Sequence, residues 1–253
     1  MKKVALFSLA LVSAASVANA QSTNGVRVGI RVGGTLANIG GKDADMVGGY
    51  SGDLNYKLGY NAGLSFQIPL SSDGFWTLAP ELIYNRKGFE NAYQITGADL
   101  QTSTAIPAGT NRTNLDKFEY ENKRVLSYIE VPIPVRVNTA PGGSGLYFEL
   151  GPQVGYMVAS KREITRTYKY NPSAGDSKVP DGVDKSKEDL ASFDIGGVAG
   201  LGYQTAGGFS VGVRYNQGFK SLFDTKNVSA TNEPKAFNRA FMVQVGYLLP
   251  LGK

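Results

Sequence analysis

Histidine and cysteine are both absent from the 253 residues. That removes the usual general base, the usual metal ligands and the thiol nucleophile together. Carboxylates remain, and four of them, Glu81, Glu130, Glu149 and Asp194, share strand parity with four arginines, Arg27, Arg31, Arg136 and Arg214. Two chemistries suit such a set. A pair of carboxylates works as acid and base when one pKa is raised; alternatively, the eight groups neutralise one another as a buried ion-pair network, since charge out of water must be paired. The network needs nothing beyond the residues themselves, so the expectation is a lumenal charge network with no catalytic, cofactor-binding or metal-binding residue.

These side chains are positioned by segments that alternate apolar and polar residues. Eight such segments run over residues 25–38, 57–70, 75–89, 117–138, 145–162, 191–204, 208–221 and 239–249. Short glycine-containing connections, 71–74, 139–144 and 205–207, take turns with long polar ones, 39–56, 90–116, 163–190 and 222–238. Three tight turns therefore lie at one end and four loops at the other. The expected fold is all-β: an eight-stranded antiparallel up-and-down transmembrane β-barrel with short periplasmic turns and four longer extracellular loops.

Parity decides which face meets oil. The aliphatic face carries aromatic residues at both ends: Trp76, Phe148, Tyr203, Phe209 and Tyr247 toward the turns, and Tyr60, Tyr84, Tyr156, Phe193, Phe219 and Phe241 toward the loops. Between them lie residues such as Leu64, Leu82, Leu150, Val213 and Val243. Same-strand belt pairs such as Trp76 and Tyr84 are separated by roughly 20 Å at strand rise and a barrel tilt, which fits a thin outer membrane. Eight strands leave room inside only for ordinary side chains. The aromatics therefore face lipid and the charges face inward, with strand glycines such as Gly63, Gly200, Gly202 and Gly212 making space for them. The same narrowness argues against a diffusion pore.

One strand is unusual. Residues 128–138 read Y-I-E-V-P-I-P-V-R-V-N, with Pro132 and Pro134 on one parity. Each proline withdraws a backbone donor, and both donors would have faced the same neighbour. The seam on that side is expected to be thin in hydrogen bonds or bulged, with Glu130 and Arg136 compensating from the lumen.

Residues 1–20 read as a cleaved secretory signal: Lys2 and Lys3, an apolar run, then Ala18-Asn19-Ala20. The mature chain is expected to begin at Gln21 and to form a single barrel domain over 21–253. Without Lys2 and Lys3 the formal charge falls from +5 to +3, too weak and dispersed for a nucleic-acid partner. The 163–190 loop mixes lysines and acids, the pattern of a solvated loop, and the acids between Asp181 and Asp189 lack calcium-loop spacing. Asn111-Arg112-Thr113 and Asn227-Val228-Ser229 match the glycosylation pattern by chance in a bacterial-type envelope protein.

Four stretches, G-I-R-V-G-G-T-L-A-N (29–38), L-A-P-E-L-I-Y-N-R-K (78–87), Y-I-E-V-P-I-P-V-R-V (128–137) and F-E-L-G-P-Q-V-G-Y (148–156), together resemble the PorT-like outer-membrane β-barrel family. The resemblance covers nearly all of the mature chain. It implies a small bacterial outer-membrane protein without an assigned activity, and the family namesake contributes to protein secretion. The chain departs from a common barrel ending, because Gly252 and Lys253 follow the alternation from Phe241 to Leu251 where an aromatic residue often closes the chain. The expected function is a non-enzymatic outer-membrane barrel acting structurally or by binding through its loops. Its partners would be outer-membrane lipid and other envelope proteins. The alternative is an accessory component of a PorT-like envelope machine.

Overall fold

A strand in hydrocarbon has no water to satisfy its N–H and C=O groups, so a sheet there must close on itself. The computed structural model describes residues 25–44, 46–47, 50–51, 53–224 and 234–251, and within them the sheet closes. Eight strands form the ring: β1 Arg27–Gly40, β2 Asp53–Pro69, β3 in two pieces Trp76–Leu78 and Glu81–Thr96, β4 in two pieces Leu115–Pro132 and Val135–Ala140, β5 Ser144–Tyr170, β6 Phe193–Gln204, β7 Phe209–Gly218 and β8 Phe237–Pro250. Each pairs antiparallel with its sequence neighbour, and β1 pairs with both β2, Arg27 opposite Gln67, and β8, Arg27 opposite Pro250. The expected signal segment, 1–20, and the Asn227 pattern lie outside the described residues.

Inside and outside are reversed relative to a water-soluble core. Leu58 is 78% exposed and Leu150 69%, while Arg136 and Asn85 are fully enclosed. Ten of the eleven expected belt residues stand exposed on the outer face; Tyr84 is half-buried, its hydroxyl donating to Ser127 Oγ at 2.9 Å.

Turn chemistry follows the sequence. In the β2–β3 turn, Asp73 Oδ1 accepts from Ser71 Oγ at 2.6 Å and from the Phe75 N–H at 2.9 Å, while Gly74 takes φ +74°. Gly208, between β6 and β7, has φ +93°, and a Cβ there would lie 1.9 Å from the Leu248 carbonyl oxygen. No L side chain fits that turn.

The strands run further than their alternation suggested on the loop side. β3 continues to Thr96, β4 begins at Leu115 and β5 reaches Tyr170, where 90–116 and 163–190 were expected as loops. An additional strand, Ser177–Asp184, pairs with β5, and the start of β2 pairs with β3. Charged side chains disguised these stretches as loops, since polarity on both faces is the signature of solvent on both sides. One face is in fact covered: residues 97–114, with a short helix Asp99–Thr102, fold back so that Leu100 and Ile106 pack with Ile95, Phe118 and Tyr120. Arg112 fastens that excursion, its guanidinium donating to the carbonyls of Leu100, Gln101, Ser103 and Ile106 at 2.6 to 3.3 Å.

The proline strand has a one-sided gap. β4 and β3 pair as far as Ile83 opposite Glu130 and resume at Leu78 opposite Val135, in unbroken register. The break extends to Ala79 and Pro80 on β3, which the alternation of 75–89 did not indicate. The seam is thin rather than bulged: Ala79 N–H still donates to Pro134 O at 2.9 Å, but Pro134 returns nothing. On the other side Ile133 N–H reaches Pro152 O at 2.9 Å and the register with β5 holds. Side chains bridge the gap above and below. Asn85 Nδ2 crosses to Glu130 Oε2 at 2.9 Å, and Asn138 Nδ2 crosses to Gly74 O and Thr77 Oγ1, each at 3.1 Å. Arg136 plays no part in this, turning instead toward β5 and β6. Pro134→Val restores a donor to the seam and is expected to raise the urea midpoint of the folded protein in detergent by the equivalent of about 1 kcal/mol; an unchanged or lowered midpoint shows the seam is not limited by that donor.

Candidate functional site

Inward parity delivers seven of the eight expected charges to the lumen, where each is at most 6% exposed. The eighth, Arg27, stops half-buried at the turn-side rim; its Nη1 is enclosed without a hydrogen-bond partner, and it joins neither cluster. Lys87 takes its place. It follows Glu81 and Asn85 on the inward parity of β3, so the same rule that found the others points to it.

The charges form two clusters. Toward the turns, Arg31, Arg136 and Arg214 surround Glu81 and Glu149. Arg214 grips both acids, with Nη1 at 2.6 Å and Nη2 at 3.0 Å from Glu81 and Nε at 2.7 Å from Glu149. Arg31 adds a contact to Glu81 at 3.1 Å, and Arg136 holds Glu149 Oε2 at 2.8 Å. Toward the loops, Lys87 Nζ lies 2.7 Å from Glu130 and 3.2 Å from Asp194, and 4.2 Å from the centroid of the Tyr128 ring. The first cluster has one cation in excess and the second one anion. The balance closes only when the two are taken together.

Small residues make this packing possible. A Cβ on Gly202 or Gly212 would lie within 2.5 Å of the Tyr147 hydroxyl, and Tyr147 supports the Arg136 guanidinium at 4.0 Å from its ring centroid. Below, the turn after β4 folds under the lumen: Gly143 O accepts from Gln67 Nε2 at 3.0 Å and from Gln204 Nε2 at 2.8 Å. Above, an apolar plug of Phe89, Leu126, Tyr128 and Met157 is completed by Leu190, Leu222 and Ala236 from the loops. The void beside Lys87, Asp194 and Asn216 is about 10 Å³, room for no more than one water.

The plug is held by a latch. Arg124 Nη1 and Nη2 donate to the two Asp189 oxygens at 2.6 and 2.7 Å, tying the loop that carries Leu190 to β4. Other acids of that loop are also engaged, Asp181 with Arg166 and Asp176 with Lys169, so they form no cation cluster.

Chemically the arrangement defines an integral membrane barrel whose lumen is filled and closed at both ends. Its lumenal carboxylates are enclosed among guanidinium, ammonium and amide donors, with Asp194 Oδ1 left without a hydrogen-bond partner, and among the described residues no lumenal carboxyl group faces a substrate-sized space. Residues 19–224 match the family described as the outer membrane protein beta-barrel domain, and the chain belongs to that family. It is thus an integral β-barrel protein of the bacterial outer membrane. Among solved structures the chain is similar to Ail of Yersinia pestis, at 13% identity and TM-score 0.38 over 88% of this chain and 98% of that one. It is also similar to Neisserial surface protein A, at 10% identity and TM-score 0.36 over 87% and 96%, and to OprG of Pseudomonas aeruginosa, at 14% and 0.33 over 91% and 99%. No curated protein matches the chain.

Two outcomes follow from the clusters and the latch. Lys87→Met strands Glu130 and Asp194 without their cation and is expected to cost about 3–5 kcal/mol, read as a lowered urea midpoint, with part regained in Lys87→Met/Glu130→Gln. For Asp189, burial opposes ionisation, but the hydrogen bonds and charge of Arg124 outweigh it and hold the carboxyl below its ordinary value. A depressed folded pKa gives stability that is present above the unfolded value, about 4, and is lost as pH falls through the folded one. Amide-exchange protection at Leu190 and Ala191, corrected for intrinsic rates, should therefore fall below about pH 4, and Asp189→Asn should abolish that dependence.

Proposed function

We propose that the protein acts as a non-enzymatic outer-membrane barrel whose role, structural or binding, is carried by its extracellular platform. The observation that supports this most directly is the closure of the lumen at both ends, which among the described residues leaves neither a path for solute through the barrel nor an accessible carboxylate pair inside it. The extracellular extension of β2 to β5, with Ser177–Asp184 and the folded-back 97–114 segment, is by contrast a sizeable ordered surface. Loops and their supports are where binding concentrates on a rigid scaffold.

Export through a signal cleaved after Ala20 belongs to the same proposal, and the intact mass of the mature chain, beginning at Gln21, tests it. An accessory role in a PorT-like secretion apparatus rests on the short strand motifs alone. In-membrane crosslinking separates it from the leading reading, since a stoichiometric complex supports the apparatus and a lone barrel supports the platform.

Unheated folded protein is expected to run faster on a denaturing gel than a boiled sample, and equal mobility overturns the barrel reading. In planar bilayers the protein should leave conductance at baseline. Steady single-channel steps that disappear on bulky substitution at Gly63 or Gly200 would establish a pore instead.

A further inference from the structure

The plug over the lumen has two halves, and they are joined unequally. Ring strands supply Phe89, Leu126, Tyr128 and Met157; loops supply Ala44, Leu190, Leu222 and Ala236. The loop half is a body in its own right. Leu222 stands at its centre, its N–H donating to Ala236 O at 2.7 Å and its carbonyl accepting from the Ala191 N–H at 2.8 Å. Asp224 N–H reaches Asp189 O at 3.1 Å, and Lys235 N–H reaches Asp43 Oδ2 at 2.9 Å. The loops after β1, β5 and β7 are thereby knitted into one cap. To the facing wall the cap is fastened by apolar contact and by the bidentate pair of Asp189 with Arg124 on β4.

Solvent decides where such an assembly parts. Ring strands cannot separate in hydrocarbon, because their freed N–H and C=O groups would meet no water. The cap lies beyond the loop-side ends of β1, β6, β7 and β8, where an opened contact is hydrated and local opening costs least. Parting within the cap breaks the backbone bonds at Leu222. Parting at β4 breaks one side-chain pair and an apolar contact. Beneath that contact the lumen turns polar: the Tyr128 ring, part of the plug, also stands 4.2 Å from Lys87 Nζ, and Lys87 lies between Glu130 and Asp194. Lower still, Arg214 joins Glu81 to Glu149 and the Gly143 turn closes the floor. A cavity opened from above therefore ends blind.

We propose that the cap is a latch-held lid. It swings off β4 as one body when the Arg124–Asp189 pair parts, while the ring and the turn-side cluster stay in place. The opened state is a blind, outward-facing chamber that ends at Lys87, Glu130 and Asp194. This goes beyond the platform reading and does not depend on it.

The test is thiol labelling of the folded full-length chain in lipid vesicles with a small, charged methanethiosulfonate. The chain has no native cysteine, so each reporter is single. Met157→Cys on β5 and Ile39→Cys on β1 sit under the cap on different walls, and Ser65→Cys lies lower in the lumen; all three positions are buried. Arg124→Gln should speed labelling at both Met157→Cys and Ile39→Cys about tenfold, the scale of one lost charge-assisted pair, and leave Ser65→Cys slow. Asp189→Asn should do the same, and the two changes together should add little to either alone. Arg124→Lys should return part of the protection. Acceleration at Met157→Cys alone means that only the 187–192 segment frays, and it overturns the lid; so does equal acceleration at Ser65→Cys, which means that the barrel itself has loosened, and so does labelling unchanged at every position. Gel mobility, unheated against boiled, shows that each variant is folded, and should Arg124→Gln fail to fold, Asp189→Asn carries the same test.

Discussion

Backbone hydrogen bonding in hydrocarbon is the constraint from which the rest of this structure follows. Water is absent there, so each N–H and C=O needs a partner within the protein, and a sheet can meet that demand only by closing. Closure with eight strands fixes a narrow lumen, and the surrounding lipid fixes which parity is apolar. The proline seam shows how strict the demand is. Where β4 gives up two donors, no bulge relieves the register; Asn85 and Asn138 instead reach across from the lumen and hold the two strands together. A seam facing water would have needed no such help.

Once the oily face is outside, charge must be managed inside. Three guanidiniums around two carboxylates, and one ammonium between two carboxylates, are each unbalanced alone and neutral together. Buried pairs of this kind add little net stability compared with apolar packing, yet breaking one is expensive. The network therefore acts chiefly to fix one arrangement of strands: Arg214 on β7 joins Glu81 on β3 to Glu149 on β5 across the barrel, contacts that no local hairpin could supply. The apolar plug above and the Gly143 turn below then seal an interior already filled.

The ring itself does not account for the extracellular half of β3, β4 and β5. That half has a small core of its own, built from Phe118, Tyr120 and Ile95 on one face with Leu100 and Ile106 laid over them. Its other face carries charged side chains above the belt. The exposed strand Ser177–Asp184 closes the sheet edge with Pro180 and a register shift before Val183, features that discourage further strand addition. The surface is thus arranged to present a face rather than an edge.

Alternation, turn glycines and the two aromatic belts were enough to determine an eight-stranded inside-out barrel from sequence, because a period of two and a lipid-facing surface leave a direct record in residue type. The same parity located Arg31, Glu81, Glu130, Arg136, Glu149, Asp194 and Arg214. It would equally have located Lys87, and it included Arg27, whose place at the rim depends on where β1 begins in the barrel rather than on parity. Strand ends beyond the membrane were not legible: between 90 and 96 and between 163 and 170 both faces are polar or mixed, and the partner that buries one of them, the 97–114 segment, is close only after folding. Tertiary structure alone decided who pairs with whom inside. Partners such as Arg214 and Glu81, or Arg124 and Asp189, lie far apart in sequence, and the closure of the ring, which no local pattern encodes, brings them within a hydrogen bond of each other.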